Sequence, residues 1–234
     1  MKTHHTFDSL GGANHGWLNA KHHFSFANYF DPKKMSFGEL LVINDDIIAP
    51  NTGFGTHPHD NMEIITFVRR GAITHEDSHG NKGKTTAGNV QVMSAGTGIL
   101  HSEHNNENEE TNIYQIWIKP KSRGITPKWG SAEFPTESTT GKLKLLVSGS
   151  NDAPLQIHQD ARIYTGRFNK KTTIDHLIKG QAYILVSKGN ITIDNINASK
   201  GDGIAIKEEN SISLQCQPDT EIILIEVPGL TEAR

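Results

Sequence analysis

The sequence predicts an all-β protein built from two similar domains, and three observations support this fold class. Short segments rich in β-branched residues recur along the chain and end at Gly, Asn, Asp or Pro. Helical signals are weak, and the one candidate helix covers residues 173–178. An internal repeat relates the two halves of the 234-residue chain. Many short strands with glycine-rich turns are typical of a β-sandwich or β-barrel.

The strand candidates either alternate apolar and polar residues or form short β-branched runs. Residues 89–93 alternate, as expected of a strand with one buried face. The other clear candidates are residues 183–187, 191–193, 212–216 and 221–227. Each of these runs is flanked by turn-forming residues. They therefore fit short strands of antiparallel sheets.

The internal repeat consists of three pairs of segments that match in the same order. Residues 65–75 match 183–193, residues 87–88 match 200–201, and residues 112–118 match 221–227. The offset shrinks from 118 to 113 and then to 109 positions, as small loop deletions would produce. We expect one domain at residues 1–130 and the other at residues 131–234, with the join in the polar, proline-bearing stretch 125–142.

Composition excludes several classes of function. The net charge of −3 argues against a nucleic-acid partner, which usually meets a basic surface. No apolar run approaches the roughly 20 residues of a membrane span, and the first residues lack a signal-peptide core. The single cysteine, Cys216, excludes an internal disulfide. We therefore expect a cytoplasmic protein without a membrane or nucleic-acid partner, and we take it to be a monomer.

Histidines at two places indicate a metal site. His57 and His59 follow one glycine-rich stretch, and His101 and Glu103 follow another. In a strand, residues i and i+2 point to the same side, so each pair converges on one face. Pro58 fixes the backbone between the first two histidines. Three imidazoles and one carboxylate suit iron, copper, nickel, cobalt, manganese or zinc, whereas chance surface histidines are the alternative.

The repeat sharpens this prediction, because the second domain lacks the ligands. At the offsets of 118 and 113 positions, the counterparts of His57, His59, Glu63, His101 and Glu103 are Asp175, Leu177, Gln181, Leu214 and Cys216. A purely structural role for the histidines would not predict this contrast. We expect one metal ion per chain, in the first domain.

Two segments carry a resemblance to a known family. Residues 55–71, GTHPHDNMEIITFVRRG, and residues 94–105, SAGTGILHSEHN, resemble the two motifs of the cupin superfamily. Within it they are similar to the pirin family of bicupins, as are residues 24–30, 42–46, 75–78 and 114–117. The resemblance implies two tandem cupin-type β-barrels (a double-stranded β-helix or jelly roll). It also implies the metal ligands His57, His59, His101 and Glu103, with Glu63 left in a supporting role.

The resemblance also implies an activity. Bacterial pirins of this pattern are similar to quercetin 2,3-dioxygenases, which open the flavonol ring with O₂ and release carbon monoxide. The implied partners are a small aromatic substrate and O₂, and the implied metal is iron(II). Glu103 is the candidate catalytic residue, since it could take the proton of the flavonol 3-hydroxyl. The alternatives are a metal-binding regulatory protein that acts through a protein partner, and a sugar- or acid-modifying isomerase.

Several further residues lie close to the motifs in sequence. Candidates to line an apolar pocket are Phe24, Phe26, Phe54, Met93 and Trp117, although an ordinary core position is the favoured interpretation for each one taken singly. Asp45 and Asp46 favour a strand end with turn-forming side chains over a catalytic carboxylate pair. His75 fits either a supporting role at the metal or a turn, and His104 should face away from Glu103.

Overall fold

A computed structural model describes residues 1–139 and 141–230, which form 22 strands and one short 3₁₀ helix, Phe7–Ser9. The strands of the first half are β1 (Lys2–His5), β2 (Gly11–Asn14), β3 (Leu18–His22), β4 (Leu40–Ile48), β5 (Thr52–His59), β6 (Glu63–Arg70), β7 (Ala72–Asp77), β8 (Lys82–Thr86), β9 (Asn89–Ser94), β10 (Ile99–Asn105), β11 (Thr111–Ile118) and β12 (Lys128–Glu133). Those of the second half are β13 (Lys144–Ser148), β14 (Leu155–Gln156), β15 (Arg162–Phe168), β16 (Thr172–Leu177), β17 (Gln181–Lys188), β18 (Asn190–Ile193), β19 (Ile196–Ser199), β20 (Gly203–Ile206), β21 (Ser211–Cys216) and β22 (Thr220–Val227).

The expected helix at residues 173–178 is wrong, because β16 occupies this stretch. Its exposed side chains alternate with partly or fully buried ones, and Ile174 is buried opposite Leu214 of β21. Two threonines and an isoleucine in succession favour the extended backbone, where their branched side chains pack without crowding a helical turn. None of the described segments is a helix long and apolar enough to cross a membrane.

Each half consists of a seven-stranded sheet packed against a four-stranded sheet. In the first half the orders are β12-β9-β6-β11-β4-β3-β2 and β5-β10-β7-β8. In the second half they are β1-β20-β17-β22-β15-β13-β14 and β16-β21-β18-β19. Eight strands correspond one to one in the same order, from β9, β6, β11 and β4 to β20, β17, β22 and β15 in the large sheets. The all-β bicupin fold predicted from the sequence is therefore confirmed.

One turn shows how closely the halves repeat each other. Gly71 and Gly189 both have a φ of 72°, the left-handed region that glycine adopts without strain. In the first half the Thr111 hydroxyl accepts a hydrogen bond from the Ala72 N–H at 3.1 Å and donates to the Ala72 carbonyl at 3.0 Å. The Thr220 hydroxyl makes the same two bonds with Asn190, at 3.2 and 3.0 Å.

The edges of the two large sheets are completed by strands from unexpected parts of the chain. The N-terminal strand β1 pairs with β20 of the second half. Strand β12, in contrast, pairs along its whole length with β9 of the first half and spans the boundary expected between residues 130 and 131. That boundary stays a prediction, while the pairing of β1 shows that the second sheet includes the start of the chain.

The largest apolar cluster lies between the two seven-stranded sheets and contains residues of both halves. Its bulkiest members are Tyr114, Tyr183 and Phe67, all fully buried. The Tyr183 hydroxyl lies 2.9 Å from Nδ1 of His23, which links the halves by a buried hydrogen bond. The opposite face of each large sheet lines the interior of its own half. The candidate site lies in the interior of the first half.

Candidate metal centre and cavity

Strands β5 and β10 place three histidines around one point. The strands are antiparallel, and His101 lies directly opposite His57, while His59 follows two residues further along the same face of β5. One nitrogen atom of each ring lies within 4.8 Å of the other two. Nε2 of His57 and Nε2 of His101 are 3.1 Å apart. The structure thus brings together three of the four ligands predicted from the sequence.

The donor set fits a divalent transition metal. Two donors held at a right angle, each about 2.1 Å from one ion, lie about 3 Å apart, close to the His57–His101 separation. Nδ1 of His57 lies 2.7 Å from the carbonyl of Gly55 and donates a hydrogen bond to it, so Nε2 is the atom of this ring that is available to a metal. Nε2 of His59 is buried without a hydrogen-bond partner among the described residues. An ion bound by these nitrogens would satisfy it.

Two of the three imidazoles, those of His59 and His101, are in the charge state that metal binding requires. Burial, followed by the proximity of His57, lowers the pKa of His101 to about 3 and that of His59 to about 4. Both rings are therefore neutral near pH 7, with a free lone pair. A histidine must lose its proton before it can bind a metal, so no protons need to be displaced from these two groups.

Glu103 lies in the same cavity but is held by other side chains. Its Oε1 accepts hydrogen bonds from the Gln91 amide at 2.6 Å and the Thr66 hydroxyl at 3.2 Å, and its Oε2 accepts one from the Gln115 amide at 2.9 Å. It is not part of the group of donors within 4.8 Å of one another. Burial raises its pKa. Its role as the fourth ligand stays a prediction.

The three partners of Glu103 belong to a row of polar residues that crosses the large sheet. Residues opposite one another on neighbouring strands run from β9 through β6, β11 and β4 to β3 in the order Gln91, Thr66, Gln115, Asn44 and His22. All five side chains are buried. The sequence analysis missed this row. Each member is a polar residue at an inward-facing position of its strand. The row can be recognised only when the pairing of the strands is known.

A cavity of about 420 Å³ adjoins the histidines. Its wall consists of His15, Trp17, Leu18, Ala20, His22, Phe26, Asn44, Asp46, Gly53, Phe54, Gly55, His57, His59, Ile64, His101, Glu103, Gln115 and Trp117. Three of the expected lining residues, Phe26, Phe54 and Trp117, are among them. Phe24 and Met93 instead take core positions: the Phe24 ring packs 5.4 Å from that of Tyr183 between the halves, and Met93 is buried beside Ile64.

Asp45 and Asp46 do not end a strand, so that expectation is wrong. Both lie inside β4 and therefore point to opposite faces of the sheet. Asp45 forms an ion pair with Arg69, which also stacks on the Tyr114 ring at 3.8 Å. Asp46 faces the cavity. Burial, helped by the negative charges of Asp45 and Glu103, raises the pKa of Asp46 to about 8.

Three further residues near the motifs have supporting positions. His75 is buried within β7 opposite Glu103, its Nε2 lies 3.0 Å from Oδ2 of Asp77, and its ring lies 5.4 Å from that of His101. This position is inconsistent with the alternative role in a turn. Glu63 lies outside the histidine group and accepts a 2.6 Å hydrogen bond from the Ser94 hydroxyl, as a supporting role requires. His104 is partly exposed.

Strand pairing corrects the alignment of the second half. Glu103 lies opposite His75, and Leu214 lies opposite Ile193, which matches His75 at 118 positions. The counterpart of Glu103 is therefore Leu214 and not Cys216. By the same register the counterpart of His101 is Ile212. The expected counterparts are two residues too far along β21, because a loop deletion lies before this strand and not after it.

The same register changes the counterpart of His57. His57 lies opposite His101 in the first half, and His176 lies opposite Ile212 in the second. His176 therefore takes the place of His57, where Asp175 had been expected. Its Nε2 lies 2.9 Å from Oε1 of the buried Glu226, and the group of three potential metal donors found among the described residues lies in the first half.

Fold and site together define a bicupin whose first half carries a candidate three-histidine metal centre. Family models match both halves: the pirin model over residues 3–118 and the quercetinase C-terminal cupin model over residues 145–227. The chain belongs to the pirin family.

Several relatives match along nearly the whole chain. A pirin-like protein of Caulobacter vibrioides is 52% identical over 94% of this chain and 97% of its own length. A protein of Escherichia coli K12 named quercetin 2,3-dioxygenase is 46% identical over 93% of this chain and 95% of its own length. The crystal structure of the E. coli pirin YhhW in complex with nickel(II) superposes with a TM-score of 0.93 at 44% identity, covering 98% of this chain and 100% of that one.

Proposed function

We propose that this chain is a metal-dependent dioxygenase that cleaves the flavonol ring of quercetin-like substrates with O₂ and releases carbon monoxide. The observation that carries the proposal is the position of His57, His59 and His101 at the wall of a cavity with aromatic sides. The name of the E. coli relative, quercetin 2,3-dioxygenase, supports the same reaction. The proposed partners are therefore a small aromatic substrate and O₂, and we take the chain to act as a cytoplasmic monomer.

The cavity suits a flat aromatic molecule. Its volume of about 420 Å³ lies within the usual range of about 300–1,000 Å³ for small-molecule sites. The rings of Trp17 and Phe54 meet edge to face at 5.1 Å, and Trp117 meets Phe26 in the same way at 5.5 Å. These four rings offer apolar surface to a bound ring system.

A divalent metal held by His57, His59 and His101 would supply a Lewis acid that stabilises the deprotonated 3-hydroxyl of a flavonol. Glu103 is the proposed base. Burial raises its pKa, which makes the carboxylate a better proton acceptor. Its Oε2 has one hydrogen-bond donor, Gln115, against two at Oε1, so the proton is transferred to Oε2. Iron(II) is the proposed metal, with copper, nickel, cobalt, manganese and zinc as alternatives.

The experiment compares wild-type protein and Glu103→Gln after loading with each metal in turn. Wild-type protein in air should consume quercetin, followed by its visible absorbance, and release one molecule of carbon monoxide for each molecule consumed. Glu103→Gln should keep the metal, by elemental analysis, and lose at least about a hundredfold in kcat, as removal of a general base typically does.

Two outcomes contradict parts of the proposal. Metal-loaded wild-type protein that leaves quercetin intact under air, with every metal tested, excludes this substrate and favours a regulatory, partner-binding role. If Glu103→Gln turns over quercetin at the wild-type rate, Glu103 is not the base. The proposed metal centre is not affected by that result.

A further inference from the structure

A buried carboxyl group on β4 faces the cavity without a partner. Asp46 is 2% exposed and contributes to the cavity wall. Its Oδ1 is buried and has no hydrogen-bond partner among the described residues. Buried polar atoms in folded proteins are nearly always hydrogen-bonded to protein, water or ligand. Asp46 therefore offers an unused hydrogen-bonding group to whatever fills the cavity.

The fold itself does not require a carboxyl group at this position. The neighbours of Asp46 across the sheet are Ile113 and Ala20, both buried and apolar. Its counterpart in the second half is Gly166, because Ile222 lies opposite Gly166 as Ile113 lies opposite Asp46. There the space is filled by a ring, since a Cβ at Gly166 would meet the Phe168 side chain at 2.5 Å. An apolar residue could therefore fill the packing role of Asp46.

Asp46 and the histidines belong to different sheets that share the cavity. Asp46 stands on β4 of the seven-stranded sheet, and the three histidines stand on β5 and β10 of the four-stranded sheet. Ala20, Trp17 and Phe54 contribute apolar wall to the same cavity. A matching ligand therefore has a flat apolar body with polar groups at two separate places.

We propose that Asp46 binds a second hydroxyl group of the substrate, away from the metal centre, and so makes the site selective for polyhydroxylated aromatic compounds. The identity of the ring system rests on the function proposed above. A carboxylate accepts a hydrogen bond from a hydroxyl, and a neutral carboxyl group accepts one and donates another. With its pKa raised to about 8 by burial and by the nearby carboxylates, Asp46 is mostly neutral at pH 7. It can then pair with a phenol in either direction.

The test measures equilibrium binding of two flavonols to the full-length, nickel-loaded protein under nitrogen, by quenching of tryptophan fluorescence. Quercetin carries hydroxyls on all three ring systems, whereas 3-hydroxyflavone keeps the same rings and only the 3-hydroxyl. Asp46→Val preserves the shape of the side chain and removes both oxygens. Asp46→Asn is the matched control, because it retains a donor and an acceptor.

Asp46→Val should weaken quercetin binding about tenfold, the upper range for one hydrogen bond, and change 3-hydroxyflavone binding less than about twofold. Asp46→Asn should keep most of the wild-type preference for quercetin. Thermal unfolding checks that each variant is folded. If Asp46→Val does not fold, Asp46→Ala gives the same comparison, since both ligands are measured on one protein.

The proposal is overturned if the substitution weakens both ligands equally, if it weakens neither, or if wild-type protein shows no preference for quercetin. An Asp46-dependent preference in a protein that does not turn over quercetin in air would leave this inference standing and remove only the dioxygenase function.

Discussion

The interiors of the two halves differ at matched positions of the same backbone. In the first half the row Gln91, Thr66, Gln115 and Asn44 crosses the large sheet, and its first three members donate hydrogen bonds to Glu103. In the second half the row at the same positions is Ile204, Ile184, Leu224 and Tyr164, and the residue in place of Glu103 is Leu214. The second row, apart from the partly buried Tyr164, and Leu214 belong to one buried apolar cluster.

This difference shows that the fold does not need a polar interior. The second half has the same strand order and the same Thr–Gly turn, and it fills its interior with isoleucine and leucine. A buried polar row must satisfy every donor and acceptor, whereas apolar side chains only need to fill space. The polar row of the first half is therefore explained by the site that it surrounds, and four predictions test this comparison.

The largest effect is expected from placing the polar residue of one half into the other. Leu214→Glu buries a carboxyl group in an apolar cluster that includes Ile184, Ile204 and Leu224. We expect a loss of about 3–5 kcal/mol in the free energy of unfolding, measured by urea denaturation. Leu214→Met, which keeps volume and polarity, should lose less than about 1.5 kcal/mol. Equal midpoints for the two variants would show that the second interior tolerates charge.

The next largest effect concerns metal affinity at the matched histidines. His57→Ala removes one of three clustered nitrogens and should weaken metal binding at least about a hundredfold, or about 2.7 kcal/mol. His176→Ala changes the matched position of the second half and should leave metal content at the wild-type level. Elemental analysis after gel filtration and competition with a chelator measure both. Metal loss in His176→Ala, or retention in His57→Ala, would contradict the assignment of the centre to the first half.

Acid should destabilise the metal-free protein through His23, which lies between the two halves. Burial lowers the pKa of His23 to about 3, below the usual 6.5, so the unfolded chain binds more protons than the folded one between these values. Stability from this group is complete above pH 6.5 and is lost as the pH falls toward 3. At pH 5 the loss is about 2 kcal/mol.

The three tryptophans, Trp17, Trp117 and Trp129, all lie in the first half and report its unfolding by fluorescence. Urea midpoints at pH 7 and pH 5 measure the loss. His23→Asn keeps an oxygen or nitrogen near Tyr183 without a titrating ring, and its midpoint should shift less with pH. An identical shift in wild type and His23→Asn would exclude His23 as a source of the acid sensitivity.

The smallest effect should be the same in both halves. Thr111→Val and Thr220→Val each remove a buried hydroxyl that bonds the N–H and carbonyl of the residue after a left-handed glycine. Each should lower the free energy of unfolding by about 1 kcal/mol, because the N–H of the residue after the glycine loses its acceptor. Urea denaturation measures both variants. If only one of the two variants loses stability, the two turns have the same geometry but contribute differently to the free energy of unfolding.

Much of the fold and the three-histidine group of the candidate site could be predicted from the sequence. β-Branched runs and the repeat predicted an all-β chain in two similar halves, and the His57-Pro-His59 and His101-Ser-Glu103 spacings predicted a metal centre in the first. The local sequence wrongly predicted a helix at residues 173–178, where pairing with β21 fixes a strand. It also failed at Asp45 and Asp46, which a tract of turn-forming residues suggested to be a strand end, but which lie within a nine-residue strand.

The sequence by itself determined which residues share a face of each strand, because side chains alternate with a period of two along an extended backbone. Only the tertiary structure decided which faces meet. The register of β5 against β10 brings His57 to His101, and the register across five strands aligns the polar row under Glu103. Those registers follow from burial and hydrogen bonding between strands far apart in sequence, which no local pattern encodes.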